Sequence, residues 1–451
     1  MLPQAEPRLQ RRYERLVMAH VSVVEAVAAG VRALPDLAAP LAVTQAAWRF
    51  YANKSLRLPQ LAGPLIDCAK AQIATACGAY TLLAMDWSGL HLTGHKRRAD
   101  RVDLSHHKDL GYELLTALAL SDRDGRPLAP VALELEAAAG VYSTTTAQVR
   151  PGLSHLDRLG PLMGHIARLD LGKEPVFILD READSVGHFR QFIAARRLFL
   201  IRANRAPHVA WNGATLTLSQ VAKRLQALRP LEESREVEFQ GHRATQYVGH
   251  THVTLTRPAR SHRYVGTGKN RRRRHTNQRG PAIVLRLIVS EVRNQAGKVL
   301  ARWLLLSNLP EAVSAATLAL WYYWRWRIES YHKLIKGAGL HLEHWQQETA
   351  AAFSRRLLVA AMAVTLVWQL AASKAPAAAD LRAVLVRLSG RQIKRGKTRP
   401  TFTIPALLAG LGVLMPMLCL LEDHPLEELR ALVRQTMPFS RFTRTLPAES
   451  G

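Results

Sequence analysis

The sequence predicts an α/β fold, in which helices flank a mixed β-sheet, a strand-rich insertion interrupts the sheet, and both chain ends are helical. Three observations support this prediction. Between residues 80 and 202, short apolar runs alternate with helix-like segments, as in a sheet with flanking helices. Residues 205–302 contain alternating Val, Thr, Leu and Tyr, which is typical of strands. Residues 1–78 and 349–451 are rich in helix formers.

The N-terminal region is predicted to form helices over residues 8–29 and 44–50, separated by Pro35 and Pro40. Arginine and lysine side chains in this region are candidates for binding phosphate groups. These side chains are Arg11, Arg12, Arg15, Arg49, Lys54 and Arg57.

The sheet is predicted to begin at residues 80–86, a continuous apolar run typical of a strand buried on both faces. Residues 111–120 and 128–135 are the next two predicted strands, and Asp124-Gly125 between them is a strong hairpin signal. The rest of this core follows as helix 153–171, strand 176–180, helix 185–195 and strand 198–202.

The insertion is predicted to contain strands at residues 236–239, 253–256 and 282–292. It also carries a cationic run between glycines, residues 269–275. Such a run is commonly a solvated hairpin tip, but the charge of the whole chain favours a clamp on nucleic-acid phosphates. Four arginines of the run would form the clamp: Arg271, Arg272, Arg273 and Arg274.

The C-terminal region is predicted to be helical over residues 350–373, 381–388 and 425–435. The longest uncharged run, residues 404–421, is interrupted by prolines, which favours a buried or docking segment over a membrane-spanning helix. No membrane partner is expected.

The charge of the chain indicates a polyanionic partner. Lys and Arg number 62 against 35 Asp and Glu, a formal net charge of +27 at pH 7, and DNA or RNA is the first candidate for such a partner. The cysteines (Cys68, Cys77 and Cys419) lack metal-ligand spacing and predict free thiols in a reducing compartment. No signal-peptide pattern opens the sequence, so secretion is not expected.

The segment 321–336 is predicted to be one helix that ends at Gly337, because it contains no Pro or Gly. At 3.6 residues per turn, one face of this helix would present a carboxylate among cations and a phenol, all within about 60°. A surface ladder of salt bridges is the ordinary explanation of such a face. The side chains of the face are Tyr322, Arg325, Glu329 and Lys336, with Lys333 beside them.

Asp86 and Asp180 each follow an apolar run and are predicted to end two strands of the sheet. An aspartate in this position is commonly a cap or a turn residue. Open α/β sheets, however, bind their ligands at the carboxyl ends of strands. Together with Glu329, the two aspartates suggest a carboxylate triad for hard divalent cations such as Mg²⁺, which prefer oxygen ligands.

These residues resemble a known family. The spacing of Tyr322, Arg325, Glu329 and Lys336 matches the Tyr-Arg-Glu-Lys signature of the insertion-sequence-4 family of DDE transposases. The run Asp-Arg-Glu-Ala-Asp at 180–184 resembles the second catalytic block of that family, and Asp-Trp-Ser at 86–88 resembles the first. The similarity extends over residues 45–350 and implies a ribonuclease H-like core.

The resemblance implies a role for each matching residue. Asp86, Asp180 and Glu329 would be catalytic and would bind two divalent ions, Mg²⁺ or Mn²⁺. Tyr322, Arg325, Lys333 and Lys336 would hold DNA phosphates. Trp303 would stack on a base, although on sequence alone its segment equally predicts a buried strand. Glu182 and Asp184 are also consistent with a helix cap, and Asp184 is the better N-cap candidate.

The predicted organisation has five parts. They are a DNA-binding region (1–78), a ribonuclease H-like core (79–204 and 303–348), an inserted β-rich domain (205–302) and a helical C-terminal region (349–451).

The implied function is cut-and-paste transposition of an insertion sequence: cleavage at terminal inverted repeats, a hairpin intermediate, and strand transfer to target DNA. The expected partners are double-stranded DNA (element ends and target) and a second copy of the chain, as a homodimer in a synaptic complex. The expected location is the bacterial cytoplasm, with the nucleoid when bound to DNA. A structure-specific nuclease and a non-catalytic DNA-binding regulator are the alternatives.

Overall fold

The structure is a computed structural model of the chain. It describes residues 6–22, 29–31, 40–104, 108–152, 154–265, 272–391 and 402–436. The chain divides into two compact units. The first unit contains Leu56–Lys333, and the second combines Gln4–Ser55 with Leu334–Gly451.

The described part of the N-terminal region is helical, as predicted, whereas residues 23–28 of the predicted helix 8–29 lie outside the described residues. Its helices are α1 (Pro7–Ser22), α2 (Pro40–Ala52) and α3 (Leu58–Ala76). A proline lies in the first turn of α3, where its missing N–H group would have had no helical partner. The first two helices belong to the second unit, and α3 belongs to the first.

The predicted core strands and helices are confirmed in kind and order, and two short strands (Val102–Asp103 and Gly140–Ser143) that the sequence did not predict accompany them. The strands are β1 (Tyr80–His91), β2 (Val102–Asp103), β3 (Leu110–Ser121), β4 (Pro127–Ala137), β5 (Gly140–Ser143), β6 (Glu174–Leu179) and β7 (Leu198–Arg202). The helices are α4 (His155–Arg168) and α5 (Val186–Ala194). The buried runs 82–85 and 176–179 explain why β1 and β6 lie in the middle of the sheet, where both faces are covered.

The insertion is rich in strands, as predicted, but it also contains a helix that the sequence did not predict. Its elements are β8 (His208–Trp211), β9 (Ala214–Thr217), α6 (Leu218–Leu228), β10 (Glu232–Phe239), β11 (His242–Leu255), β12 (Ala259–Val265), β13 (Arg272–Gln278), β14 (Ile283–Arg293) and β15 (Val299–Ser307). Thr217 caps α6 by accepting a hydrogen bond from the backbone N–H of Gln220, whose side chain completes the capping box.

One large mixed sheet joins the core and the insertion. Among the described residues its strand order is β5-β4-β3-β1-β6-β7-β15-β14-β11-β8-β9, with β10 paired to β11 and β2 to β3. β1 pairs antiparallel with β3 and parallel with β6, which is parallel to β7. The order β4-β3-β1-β6-β7 is a ribonuclease H-like core. β12 and β13 form a separate two-stranded sheet.

The chain after the sheet is helical. Its helices are α7 (Ala315–Trp324), α8 (Arg327–Lys333), α9 (Ala350–Ala372), α10 (Pro376–Leu388), α11 (Ile404–Asp423) and α12 (Leu426–Thr436). By length and composition alone, α9 and α11 could cross a membrane; the apolar window of α9 is 83% buried and that of α11 33% buried.

Three predictions about elements are wrong. The segment 321–336 is not one helix, because α7 ends at Trp324, α8 begins at Arg327, and a π-helix covers Leu334–Ala338. β1 does not end at Asp86, since it stays paired with β3 as far as His91. The prolines of the run 404–421 do not interrupt it: one lies in the first turn of α11 and the other, Pro416, lies inside a continuous helix.

Candidate active site

Neighbouring parallel strands carry the two aspartates of the site. In the pairing of β1 with β6, Ala84 lies opposite Ile178. Asp86 and Asp180 each follow two residues later, so they lie at the same level of the sheet. Side chains of a strand alternate between its faces, so residues two positions apart point to the same face. Asp86 therefore points to the same face as Ala84, and Asp180 points to the same face as Ile178. The sheet therefore presents two carboxylates side by side.

Each aspartate is also held by its own backbone. The carboxylate of Asp180 accepts a hydrogen bond of 2.6 Å from the N–H of Arg181 and caps the short 3₁₀-helix Arg181–Ala183. Asp86 Oδ1 accepts a hydrogen bond of 3.0 Å from the N–H of Trp87. A hydrogen bond from the N–H of the following residue thus orients both carboxylates, although Asp86 lies within β1 and Asp180 follows β6.

The third carboxylate comes from the two helices that follow the sheet. Ser314 caps the N-terminus of α7 by accepting a hydrogen bond of 3.1 Å from the N–H of Thr317. At the end of α7, the N–H of Arg325 donates to the carbonyl of Tyr322, a tighter turn than that of an α-helix. Glu329 then lies in the first turn of α8.

Arg325 connects the three carboxylates. Its Nη1 lies 3.1 Å from Asp86 Oδ2, and its Nη2 lies 2.9 Å from Glu329 Oε1. The same Nη2 lies 3.9 Å from Asp180 Oδ2. The Arg325 side chain is only 7% exposed, whereas the carboxylates retain 23–34% exposure. The site is therefore a group of partly accessible carboxylates around one buried guanidinium.

Asp180 has two further polar partners. The hydroxyl of Tyr322 donates a hydrogen bond of 3.2 Å to Asp180 Oδ1. Arg202 Nη1, at the end of β7, lies 3.4 Å from the same oxygen. Tyr322 was predicted from the sequence as a site residue, whereas Arg202 was not. A basic residue that ends the strand next to β6 was the signal that could have identified it.

The protonation of the carboxylates differs within the site. Burial raises the pKa of Asp86 and of Glu329, and the nearby Arg325 only partly offsets this effect. Burial also acts to raise the pKa of Asp180, but the Arg181 N–H, the two guanidinium groups and the Tyr322 hydroxyl together lower it. Asp180 is therefore the most strongly acidic carboxyl group of the three.

The donor set of this site fits a hard divalent cation. Three carboxylates offer only oxygen atoms, which Mg²⁺ and Mn²⁺ prefer, and they already surround a positive charge. Among the described residues, no three His, Cys, Asp or Glu side chains lie close enough together to hold a metal ion as they stand. The guanidinium of Arg325 lies between these carboxylates, so metal binding requires their rearrangement.

Aromatic side chains lie beside the carboxylates. Trp303, in β15, is half-buried, and its ring centroid lies 6.1 Å from that of Tyr322. Trp326 is 57% exposed, and the centroid of its ring lies 5.6 Å from the ammonium of Lys333. Lys333 was predicted to lie near Glu329. Burial raises the pKa of Glu329 overall, and the positive charge of Lys333 is the smallest of the contributions that oppose this rise, which is consistent with that prediction. Trp326 was not among the site residues predicted from the sequence.

The remaining predicted site residues are Lys336 and the four arginines of the cationic run. Lys336 belongs to the second unit, in the π-helix, and its ammonium lies 3.3 Å from Glu343 Oε1. The predicted cationic loop is in part a strand, because Arg272, Arg273 and Arg274 lie in β13, opposite Val265, Tyr264 and Arg263 of β12. Arg271 lies outside the described residues.

The prediction that Asp184 caps the next helix is wrong. Ser185 is the N-cap residue of α5, and the carboxylate of Asp184 is fully buried. It accepts a hydrogen bond of 2.7 Å from the N–H of Asn204 and lies 3.1 Å from Arg257 Nη2. A distant arginine thus binds the carboxylate that local sequence preferences assigned to a cap.

Comparison with known proteins identifies the family. No curated protein sequence matches the chain. A solved structure of a piggyBac transposase synaptic complex with hairpin DNA is similar at 9% identity, with a TM-score of 0.35 over 99% of this chain and 78% of that chain. The family model of the transposase DDE domain matches residues 78–366, which is more than half of the chain and includes Asp86, Asp180 and Glu329. The chain therefore belongs to the transposase DDE domain family.

Proposed function

We propose that this protein is a cut-and-paste DNA transposase of the insertion-sequence-4 type. Membership of the DDE family makes it a DNA transposase. The observation that supports a working catalytic site is the convergence of Asp86, Asp180 and Glu329 on the guanidinium of Arg325. The Tyr-Arg-Glu-Lys spacing supports assignment to the subfamily.

Asp86, Asp180 and Glu329 are the residues that would hold two Mg²⁺ or Mn²⁺ ions. The chemistry that such ions supply is activation of a water or a 3′-hydroxyl and stabilisation of the leaving oxygen. Metal binding needs the carboxylate form of each ligand. Asp180, whose pKa is lowered, keeps that form to lower pH than Asp86 and Glu329, whose pKa values are raised.

The other residues of the site would bind and orient DNA. The guanidinium of Arg325 offers a two-pronged donor for a phosphate, and Lys333 and Lys336 offer point charges. The hydroxyl of Tyr322 would donate to the same phosphate or to Asp180. The indole of Trp303, half-buried beside Tyr322, would stack on an unpaired base, which contributes about 1–3 kcal/mol in comparable contacts.

The reaction would proceed by nicking at the terminal inverted repeats, formation of a hairpin, and transfer of the element into target DNA. Two copies of the chain would hold the two element ends in one synaptic complex. The N-terminal helices and the arginines 271–274 would contribute phosphate contacts, for which the net charge of +27 is the supporting observation. The protein would act in the bacterial cytoplasm, on the nucleoid.

The experiment that tests this function measures cleavage of a labelled DNA that carries the inverted repeats flanking the gene, with Mg²⁺ or Mn²⁺. Wild-type protein is compared with Glu329→Gln. We expect flush cleavage at the repeat end by the wild type, and loss of cleavage with unchanged DNA binding in the variant. The reason is that an amide cannot supply the anionic ligand that the site requires.

Glu174→Gln is the matched control. Glu174 is exposed at the start of β6, the same strand that Asp180 follows, and its replacement should leave cleavage unchanged. DNA binding without cleavage by the wild type would instead favour a non-catalytic regulator. Cleavage without joining to a target would favour a structure-specific nuclease.

A further inference from the structure

His155 lies against both of the chain segments that carry the aspartates of the candidate active site. It is the first residue of α4, and its ring stacks on that of Trp87, with 4.8 Å between the centroids and 9° between the planes. Trp87 directly follows Asp86. The Nδ1 atom of His155 also lies 3.4 Å from Oε2 of Glu182, two residues after Asp180. One imidazole therefore connects the neighbours of both aspartates.

The other nitrogen of the His155 ring is held by the sheet. Its Nε2 lies 2.6 Å from Oε2 of Glu113, in β3. The pairing of β1 with β3 places Trp87 opposite Leu115. Glu113 lies two residues before Leu115, so it points to the same face of the sheet as Trp87. The ring is thus in contact with an indole and with two carboxylates, and we call this arrangement the His155 bridge.

The His155 bridge requires a doubly protonated ring. A neutral imidazole carries a proton on only one nitrogen, whereas here each nitrogen faces a carboxylate, which only accepts. The hydrogen bond to Glu113 raises the pKa of His155, burial opposes the rise, and the charges of Glu113 and Glu182 add to it. The N-terminus of a helix disfavours a cation, so these carboxylates outweigh the effect of the helix.

Other charged groups lie near the ring without replacing it in the bridge. Arg158 lies 3.5 Å from Oε2 of Glu113 and shares this carboxylate with His155. Among the described residues, however, His155 is the one cation within 4.0 Å of the Glu182 carboxylate. The turn after Asp180 is therefore tied to α4 through His155. The charged and titratable groups near the bridge are Glu136 of β4, Asp157 and Arg158 of α4, and His188 of α5.

We propose that His155 is a positioning residue for Asp86 and Asp180, because its ring ties Trp87 to Glu182 and so keeps the two carboxylates side by side. The proposal rests on the proposed function in taking both aspartates as ligands of the catalytic ions. Residues that hold metal ligands in place commonly contribute about 10–100-fold to metal affinity or activity. His155 would act in this way from the opposite face of β1, since Trp87 and Asp86 are consecutive in the strand.

Amide hydrogen exchange measures this role without catalysis. The N–H of Trp87 donates to Asp86 at 3.0 Å. The N–H of Arg181 donates to Asp180 at 2.6 Å. The exchange rates of these two amides therefore report on the orientation of the carboxylates. Full-length wild type is compared with His155→Phe, which keeps a flat ring but loses the charge. We expect exchange at both amides to become faster by about threefold or more, because two ion pairs are lost.

Two further variants separate the parts of the bridge. His155→Arg should restore the wild-type exchange rates, since a planar guanidinium stacks on an indole and donates to two carboxylates. Glu182→Gln should speed exchange at Arg181 but not at Trp87, because it removes only one end of the bridge.

His252→Phe is the matched control. It removes an exposed histidine of the same unit whose Nε2 lies 2.8 Å from Glu311 Oε1, so it also deletes one histidine–carboxylate pair. Both exchange rates should stay at the wild-type values. Urea unfolding checks that all variants remain folded.

Cleavage of DNA that carries the terminal repeats, measured between about pH 6 and pH 9, gives a second readout. The bridge is present below the raised pKa of His155 and is lost as the pH rises through it, so wild-type cleavage should decline there. His155→Arg does not titrate in this range and should lack this decline. His155→Phe should cleave about tenfold more slowly than the wild type at the low end of the range. A purely structural role of the ring would not make the pH profile depend on titration at position 155.

Two results would overturn the proposal. One is exchange at Trp87 and Arg181 that is the same in His155→Phe as in the wild type. The other is a His155→Arg variant that matches His155→Phe in both exchange and pH profile. A wild type that cleaves no DNA would instead overturn the proposed function, and the exchange rates would still decide the role of His155.

Discussion

Arg325 determines how the carboxylates of the candidate active site are arranged. A single guanidinium bonds Asp86 and Glu329 and approaches Asp180, so three like charges are held together with a cation between them. The three carboxyl groups around this cation still differ in pKa, because only Asp180 receives additional donors from Arg202 and Tyr322. Local hydrogen bonding therefore decides which carboxyl group ionises most readily.

The spacing of the sequence predicted part of this group. Tyr322, Arg325 and Glu329 share a face although the helix is interrupted, because the turn at Arg325 keeps a right-handed helical conformation (φ −48°, ψ −32°). Arg202 was not predicted, because its contact with Asp180 depends on which strands are neighbours in the sheet. Spacing within a helix can be read from sequence, whereas contacts between strands depend on the fold.

His20 is a second residue whose protonation is set by its surroundings. It is fully buried in the second unit, with Nδ1 2.8 Å from the carbonyl of Leu16 and Nε2 3.4 Å from Arg356 Nε. In this arrangement Nδ1–H donates and Nε2 accepts, which requires a neutral ring. Burial, together with the charge of Arg356, lowers the pKa of His20 to about 3.

This arrangement predicts that the second unit loses stability in mild acid. In the unfolded chain His20 would bind a proton near pH 6.5, but in the folded chain it stays neutral to about pH 3. The unfolded state therefore binds more protons between these values, and the free energy of unfolding falls as the pH falls. From pH 7 to pH 5 the loss should be about 2 kcal/mol, measured by urea unfolding.

The variant His20→Gln should lack this part of the pH dependence, since it has no group that titrates. His344→Gln, which replaces an exposed histidine of the same unit, should keep it. An equal pH dependence in the wild type and in His20→Gln would contradict the assignment.

At the scale of elements, the differences from prediction have a common cause. β1 continues beyond Asp86 because β3 pairs with it residue by residue to His91. Pairing partners supply hydrogen bonds that compensate for the weaker apolar character of residues 87–91. Apolar pattern predicted where β1 begins, but its end depends on the length of its neighbour. For the same reason, the type of each core element was easier to predict than its bounds.

The hairpin between β3 and β4 provides a test of an element that sequence predicted well. Gly125 has φ +67°, as the Asp-Gly turn requires. A Cβ atom there would lie 2.3 Å from the ring of Trp324, the last residue of α7. Gly125→Ala should therefore both strain the backbone and displace Trp324, next to Arg325.

We expect Gly125→Ala to lower the free energy of unfolding of the first unit by about 3 kcal/mol and to reduce cleavage. Gly213→Ala is the control, since Gly213 also has positive φ (+77°) but open space around it. Backbone strain alone should cost about 1 kcal/mol there and leave cleavage unchanged. Equal effects of the two substitutions, in urea unfolding and in cleavage, would show that Trp324 is not involved.

At the scale of the whole molecule, the insertion is part of the same sheet as the strands that carry Asp86 and Asp180. Composition predicted its strands, but it did not reveal that β15 would pair with β7 and extend the core sheet. That pairing joins residues distant in sequence, which local patterns do not specify. The β12–β13 hairpin is the exception, since it forms a sheet of its own.

Because the β12–β13 hairpin forms a separate sheet, we expect its removal to change the affinity for DNA more than the free energy of unfolding. β11 and β14 pair directly, up to Leu255 opposite Ile283, so a short Gly/Ser linker in place of residues 260–277 leaves that pairing intact. The free energy of unfolding should change by less than about 1 kcal/mol. Affinity for duplex DNA should fall, and its salt dependence should weaken by a slope of up to about 6, about 0.9 for each of the seven Lys and Arg residues that the deletion removes.

A variant in which only arginines 271–274 become glutamine is the control for the loss of the hairpin itself. It should reproduce the part of this change that the four arginines contribute, a slope of up to about 4. A deletion that weakens binding while the glutamine variant does not would remove these arginines from the phosphate contacts.

The second unit is assembled from both ends of the chain, and this affects the order of events during translation. α1 leaves the ribosome long before α9 and α11, the helices against which its apolar face packs. The nascent chain therefore carries that face uncovered until α9 and α11 have been synthesised. A product that terminates between Glu329 and α9 contains all three carboxylates but lacks the helices that cover the apolar face of α1. Only a product that extends through α11 contains both the carboxylates and a covered α1, so earlier termination leaves the carboxylates attached to an N-terminal helix without its packing partners.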